Sequence, residues 1–255
     1  MPGLPSTPRR ESSASVDSVA PANRRVDASS RNKRALVTGS SSGIGAAITD
    51  RLLREEWRVV GLDRSPAPLR APEFEGVQID LTDFERVAAV LDPIASVDAF
   101  VHAAGFMQTA PLGRLDAGDG ERMWRVHVQV AAVIANALSE KFSAQGRIVL
   151  IGSRTATGAQ GRSQYAAAKA GLTAMARSWA AELAPRGITI NVVAPAATET
   201  PMLHDPARGA TLPRLPPIGR FIRPEEVAAL TSFLLSADAA AITGQQIVIC
   251  GGSSL

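Results

Sequence analysis

The run SQYAAAK, Ser163 to Lys169, holds the chain's one tyrosine and one of its three lysines, with only alanine between them. Four residues is a little over one helical turn, so on a helix Tyr165 and Lys169 share a face. The segment AAAKAGLTAMARSWAAELA is dense in strong helix formers, which places the pair on a helix over about 164–184. A phenol beside an ammonium is a proton donor beside the charge that tunes it. A free phenol keeps its proton to about pH 10, too high for a base at neutral pH, and a close cation lowers that value. The pair alone is equally compatible with a chance pairing on a solvated helix.

A second stretch carries different chemistry. TGSSSGIG, Thr38 to Gly45, follows the apolar run ALVTG and opens the helical pattern GIGAAITDRLLREE. Glycines let backbone turn tightly and approach a ligand, and a helix N-terminus offers free N–H groups to a pyrophosphate. Set between a strand and a helix, the loop predicts a dinucleotide site. The following strand, WRVVGLD, ends at Asp63. A carboxylate there accepts hydrogen bonds from an adenosine ribose and repels a 2′-phosphate, favouring NAD over NADP. Arg64 argues for NADP, but Ser40, Ser41 and Ser42 bring no second positive charge, so NAD is expected. Asp80, in VQIDLTD, is placed for the adenine edge or for capping a helix.

The elements that must position these residues form an alternating series. Strands are expected at VDAFVHAAG, GRIVLIGS, GITINVVAP and QQIVICGG besides those above, with helices around DFERVAAVLDPI, 119–143, 164–184 and 224–236. Apolar strands alternating with helices predict an α/β fold, a doubly wound parallel sheet covered on both faces, in a single domain over 35–255. Pro224 with two glutamates behind it marks a helix start. Residues 197–220 hold five prolines and two glycines and read as a substrate lid.

Composition sets the remaining bounds. Of 255 residues, 45% are hydrophobic and 20% charged, as in ordinary globular proteins, and no apolar run reaches the ~18 residues of a membrane helix. The net charge of +3 is uneven: residues 1–34 carry seven Arg or Lys against three Asp or Glu. That leader, rich in Ser, Pro and Arg, cannot build a core and is expected to be disordered and dispensable. One cysteine, Cys250, allows no internal disulfide and fits a reducing, cytoplasmic setting; its apolar neighbours predict a buried, inert thiol.

With TGSSSGIG in front and YAAAK downstream, the chain resembles the short-chain dehydrogenase/reductase family over 34–252. Asp80, the IGS at 151–153, NVVAP at 191–195, Thr200 and the closing PEEVAALTSFLLSADAAAITGQQIVICGG match in order. The resemblance implies a Rossmann-type domain, a nicotinamide cofactor, and interconversion of alcohols and carbonyls. It makes Tyr165 the acid/base, gives Lys169 the tuning of the phenol and a hold on the cofactor ribose, and sets Ser153 on the substrate oxygen. It assigns the cofactor to the loop residues Gly39, Ser41, Ser42, Gly43, Ile44 and Gly45. Asp63, Arg64, Asp80 and Leu81 would face its adenosine half. Ala104, Gly105, Pro195 and Thr200 would complete the site with Tyr165 and Lys169; no metal is implied.

Three departures from the family pattern stand out. His102-Ala103-Ala104-Gly105 replaces Asn-Asn-Ala-Gly, which should alter the tie between the fourth strand and the cofactor loop. His127, in WRVHVQV, takes the place of a catalytic asparagine, either relaying protons with a pH dependence near ~6–7 or filling space. Ser153 lies twelve residues before Tyr165, so the intervening loop is trimmed. Pro195-Ala196 also replaces Pro-Gly, which should narrow the approach to the nicotinamide.

Phe106, Met107, Arg154 and Met202 are candidate walls for the small-molecule substrate, with Arg154 either binding a carboxylate or facing solvent. Apolar positions such as Val130, Val133, Ile134, Leu172 and Trp179 would, by the resemblance, form a four-helix interface of a homodimer or homotetramer. An alcohol or diol dehydrogenase is the expectation, with a 3-oxoacyl-thioester reductase as alternative. A non-catalytic cofactor sensor would predict a damaged Ser/Tyr/Lys set. A nucleic-acid binder would depend on the basic leader.

Overall fold

The computed structural model describes residues 33–204 and 214–255. The expected leader therefore lies outside the described residues, apart from Lys33 and Arg34, as do positions 205–213 of the expected lid.

Seven strands form one parallel sheet. They are β1 (Arg34–Thr38), β2 (Arg58–Asp63), β3 (Phe74–Gln78), β4 (Val97–His102), β5 (Phe142–Ile151), β6 (Thr189–Pro195) and β7 (Gln246–Ile249), in the spatial order β3-β2-β1-β4-β5-β6-β7. Every pairing is parallel. The chain moves outward from β1 through β2 to β3, then crosses back to place β4 on the other side of β1. The crevice at such a reversal, above the strand C-termini, is where doubly wound sheets bind ligands.

Among the described residues, six α-helices flank the sheet: α1 (Gly43–Arg54), α2 (Phe84–Leu91), α3 (Ala117–Trp124), α4 (Val130–Leu138), α5 (Ser163–Leu183) and α6 (Pro224–Leu235). Leu36, Phe100, Ile148 and Ile190 point to one face, where they pack with Val87 of α2, Ile134 of α4 and Leu172 of α5. Alternate residues Val37, Val101, Val149 and Val193 point to the other, against Ile48 of α1 and Val227 of α6. Both faces are buried at the central strands, which read as nearly unbroken apolar runs, whereas the edge strand β3 is half-exposed.

Two expectations are corrected here. The helical pattern over 119–143 ends earlier: α3 and α4 are joined by a π-helical turn, Arg125–Gln129, and the helix closes with the 3₁₀ turn Ser139–Lys141. Phe142 already belongs to β5, where it pairs with Val97 and is buried; the register shifts before Ala99 pairs Arg147. The second concerns the subunit interface. Val130, Ile134 and Leu172 are wholly buried in the chain's own core, because the sheet face needs them as cover. They are thus unavailable to a second subunit; Trp179 is only partly buried. No helix among the described residues is long and apolar enough to cross a membrane.

Candidate active site

Because all strands run the same way, their C-terminal ends deliver residues distant in sequence to one edge. A cleft of about 1310 Å³ opens there. At its floor Gly39 leaves β1 with φ +71, and a β-carbon on it would lie 2.7 Å from the Ala104 nitrogen. Gly45 sits tighter still: its β-carbon would fall 2.0 Å from the Gly39 carbonyl oxygen. The loop can fold onto β4 only if both positions lack side chains. Ser42 precedes α1 without a side-chain cap, and the first turn holds no acidic residue. The N–H groups of Gly43 and Ile44 are therefore presented to the cleft they line, uncompensated, and suit a pyrophosphate. Thr200 closes this corner, its methyl 3.2 Å from a β-carbon on Gly43.

Asp63 ends β2 on the cleft wall with Arg64 beside it. Its two carboxylate oxygens accept from the backbone N–H groups of Ser41 and Ser65, both at 2.9 Å. Each oxygen keeps a further lone pair for a ribose hydroxyl. Ser41 donates its hydroxyl to the Ser65 carbonyl and, alone among the expected cofactor residues, does not line the cleft. It positions Asp63 instead. Asp80 accepts from both the N–H and the hydroxyl of Thr82, bonds that hold its carboxyl below the usual range. The helix cap considered for Asp80 belongs to Asp83, which accepts from the Arg86 N–H. Asp80 and Leu81 line the cleft.

Tyr165 and Lys169 lie on the buried face of α5, with Ala166 and Ala168 between them packed against the interior. Alanine lets the helix come close to the sheet, which explains the composition of the run. Lys169 donates from Nζ to the Ile151 carbonyl at the end of β5, 2.8 Å away, and Nζ stands 5.8 Å from the Tyr165 ring centre. Burial pushes the lysine down to about 7. Ser153 follows two residues after that carbonyl, buried, its oxygen accepting from the Thr155 N–H at 3.1 Å. The serine hydrogen is left free to donate. Tyr165 packs with Met107 and Met123, with Phe106 and Met202 at the edge, so the wall beside the phenol is apolar.

Behind this set lie two buried histidines. His127, in the π-helical turn, stands edge-on to Tyr165 with ring centres 5.6 Å apart. Its Nε2 is 2.8 Å from the Phe106 carbonyl, which can only accept, so Nε2 carries the hydrogen and Nδ1 is a bare, buried acceptor. Burial, with the Lys169 charge nearby, holds His127 well below its ordinary value. His127 also lines the cleft, and the pH dependence near ~6–7 considered for this residue is not expected of it, because burial disfavours the imidazolium form. His102 replaces the asparagine tie directly. The Thr38 oxygen accepts from the Ala103 and Ala104 N–H groups at 3.2 and 3.3 Å and gives its hydrogen to His102 Nδ1 at 2.9 Å. Strand and loop are still joined, through a ring.

Some features were not foreseen. Arg162, three residues before Tyr165, lines the cleft with Arg154. The chain's last turn also reaches it, through Gly252, Ser253 and Leu255, with Gly252 set against Pro217. Cys250 lies beyond the end of β7, half-buried, and hydrogen bonding to Ser254 pushes its thiol down. The buried, inert reading of that thiol is corrected: the strand stops at Ile249. Among the described residues no group of three or more His, Cys, Asp or Glu is placed to hold a metal.

Comparison with known proteins follows the same outline. A family model described as enoyl-(acyl carrier protein) reductase matches residues 39–254. A 3-oxoacyl-[acyl-carrier-protein] reductase FabG from Vibrio cholerae is 35% identical over 238 residues, covering 86% of this chain and 96% of the relative. A cis-4-hydroxycyclohexanecarboxylate dehydrogenase from Sinomonas cyclohexanicum is 37% identical over 237 residues, covering 86% and 95%. The crystal structure of a short chain dehydrogenase family protein from Francisella tularensis superposes with a TM-score of 0.81 at 26% identity, over 88% of this chain and 99% of that one.

Proposed function

The chain belongs to the short-chain dehydrogenase/reductase family, and we propose that within it the protein oxidises a secondary alcohol or diol with NAD, Tyr165 serving as general base. One observation carries the reading: Ser153, Tyr165 and Lys169 line the same cleft as the glycine loop of β1. The loop fits a dinucleotide, since its glycines leave a cradle that side chains would fill and the α1 N-terminus is uncapped. When bound there, the nicotinamide supplies hydride exchange, so no protein nucleophile is required.

The protein's own residues handle the proton. Ser153 donates its free hydrogen to the substrate oxygen. Tyr165 takes the hydroxyl proton in oxidation and returns it in reduction. The Ile151 carbonyl keeps the Lys169 ammonium against the phenol. Burial weakens that ammonium's hold on its proton. His127 positions the Tyr165 ring; relaying a proton itself would require breaking its bond to Phe106.

The NAD preference rests on Asp63: a carboxylate held at the end of β2 by Ser41 and Ser65 would repel a 2′-phosphate. The protein is read as a cytoplasmic homodimer or homotetramer; exposed Trp124 and Phe233 are apolar surface suited to that. Reduction of a 3-oxoacyl thioester is the second reading, favoured by the similarity to FabG across nearly its full length.

The test is a panel of alcohols and carbonyls, including 4-hydroxycyclohexanecarboxylate and a 3-oxoacyl thioester, each with NAD and NADP, followed by the absorbance of reduced nicotinamide. Tyr165→Phe should abolish turnover while cofactor still binds. Turnover unaffected by that substitution would sink the assignment.

A further inference from the structure

Arg154 and Arg162 flank the catalytic set from both sides in sequence. Arg154 opens the 3₁₀ turn Arg154–Thr157 directly after Ser153, and Arg162 is the residue preceding α5, three before Tyr165. Both line the cleft and both are half-buried. In each, Nε is fully shielded and has no hydrogen-bond partner. Neither forms an ion pair among the described residues, whereas Arg51, Arg54, Arg122, Arg186, Arg220 and Arg223 all do.

A third arginine shows what a structural role looks like in this fold. Arg147, more deeply buried, gives its hydrogens to the carbonyls of Gln145, Gly146, Gly187 and Ser236. The fold can satisfy a buried guanidinium when the role is internal. At Arg154 and Arg162 it does not, and a shielded N–H without an acceptor costs free energy. The acids on the cleft wall, Asp63 at the end of β2 and Asp80 just after β3, lie on the far wing of the sheet from β5 and are engaged by Ser41, Ser65 and Thr82. Arg122 is paired with Asp119, and Arg125 donates to the Thr82 carbonyl. Two guanidiniums without an ion pair among the described residues thus line the same cleft as Ser153 and Tyr165.

We propose that Arg154 and Arg162 recognise an anionic oxygen group, a carboxylate or a phosphate, on the substrate that carries the reacting hydroxyl or carbonyl. The guanidinium fork matches either group with paired, charge-assisted hydrogen bonds. Their placement selects hydroxy acids, oxo acids or phosphorylated acyl carriers over neutral alcohols. The inference rests on the oxidoreductase reading and names its substrate class.

Two matched pairs of probes test it on the full chain. One is 4-hydroxycyclohexanecarboxylate against its methyl ester; the other is a 3-oxoacyl coenzyme A against the same acyl group on N-acetylcysteamine, which has no phosphate. The charged member of at least one pair should show a kcat/KM at least about tenfold higher, mainly through KM. The pair that responds identifies the anion as carboxylate or phosphate. Arg154→Gln and Arg162→Gln should collapse that ratio toward one, with Arg154→Lys and Arg162→Lys restoring part of it, in proteins whose melting curves match the parent. Equal use of charged and neutral probes, or an equal loss for both in the variants, overturns the proposal while leaving the oxidoreductase reading intact. If no probe is turned over, that reading falls, and calorimetric binding of the carboxylate and its ester decides the anion site by itself. Equal affinity for the two would reject it.

Discussion

Gly105 and His127 compete for one volume. A β-carbon on Gly105 would lie 2.2 Å from His127 Cε1 and 2.7 Å from Nδ1. The imidazole occupies the space of the missing side chain, tethered to Phe106 and edge-on to Tyr165. The glycine that ends the β4 loop and the histidine of the π-helical turn therefore act as one unit.

Gly105→Ala should cost about 1–3 kcal/mol of stability, the usual penalty for overpacking. Adding His127→Ser should recover part of that loss, giving a favourable coupling in a double-mutant cycle read by urea unfolding. Strictly additive effects would mean that the two residues do not share the space.

The same burial makes the fold sensitive to acid. Burial pushes His102 down to about 3 and holds His127 well below its ordinary value. The unfolded chain takes up protons at both as pH falls through about 6.5, while the folded chain does not. Stability is thus fully present above pH 6.5 and declines below it, by about 1.4 kcal/mol per pH unit for each histidine. Melting temperatures measured from pH 7.5 to 5 should fall, with His127→Asn reducing the slope. A flat profile would contradict the buried, neutral imidazoles.

Asp63→Asn keeps an acceptor for the Ser41 or Ser65 N–H but removes the charge. The ratio of kcat/KM for NADP over NAD should rise by about tenfold, since the repulsion of a 2′-phosphate is gone while Arg64 remains. An unchanged ratio in a stably folded variant would show that the choice of cofactor is made elsewhere.

Lys169→Met and Tyr165→Phe should separate two roles. Tyr165→Phe should lower kcat by roughly 10²–10⁴ and spare cofactor affinity. Lys169→Met should lower both, because Nζ anchors to Ile151 on the cleft wall as well as facing the phenol. Titration of cofactor by fluorescence beside steady-state kinetics distinguishes the patterns.

Much of this was legible along the chain, because its signals are local. ALVTG running into TGSSSGIG specified a strand, a turn and a helix within a dozen residues. The apolar runs matched six of the seven strands, the half-exposed β3, FEGVQ, carrying no such run, and YAAAK shared a helical face whatever it packed against. The helix edges near 138–142 were less legible: Phe142 suits a helix by local pattern and became strand only by pairing with Val97. Val130, Ile134 and Leu172 could have covered either a sheet or a second subunit, since hydrophobicity says that a face is buried and not by what.

By itself, the order of residues determined the alternation of strands and helices, the glycine turn and the spacing of Tyr165 and Lys169, all set by backbone geometry over a few positions. Only the tertiary structure decided that Asp63 is held by Ser41, that His127 fills the space beside Gly105, and that Arg154 and Arg162 line the cleft with no ion pair among the described residues. Those facts depend on the distance between side chains far apart in the chain, and on how completely each is shielded from water. Neither quantity exists until the sheet is assembled.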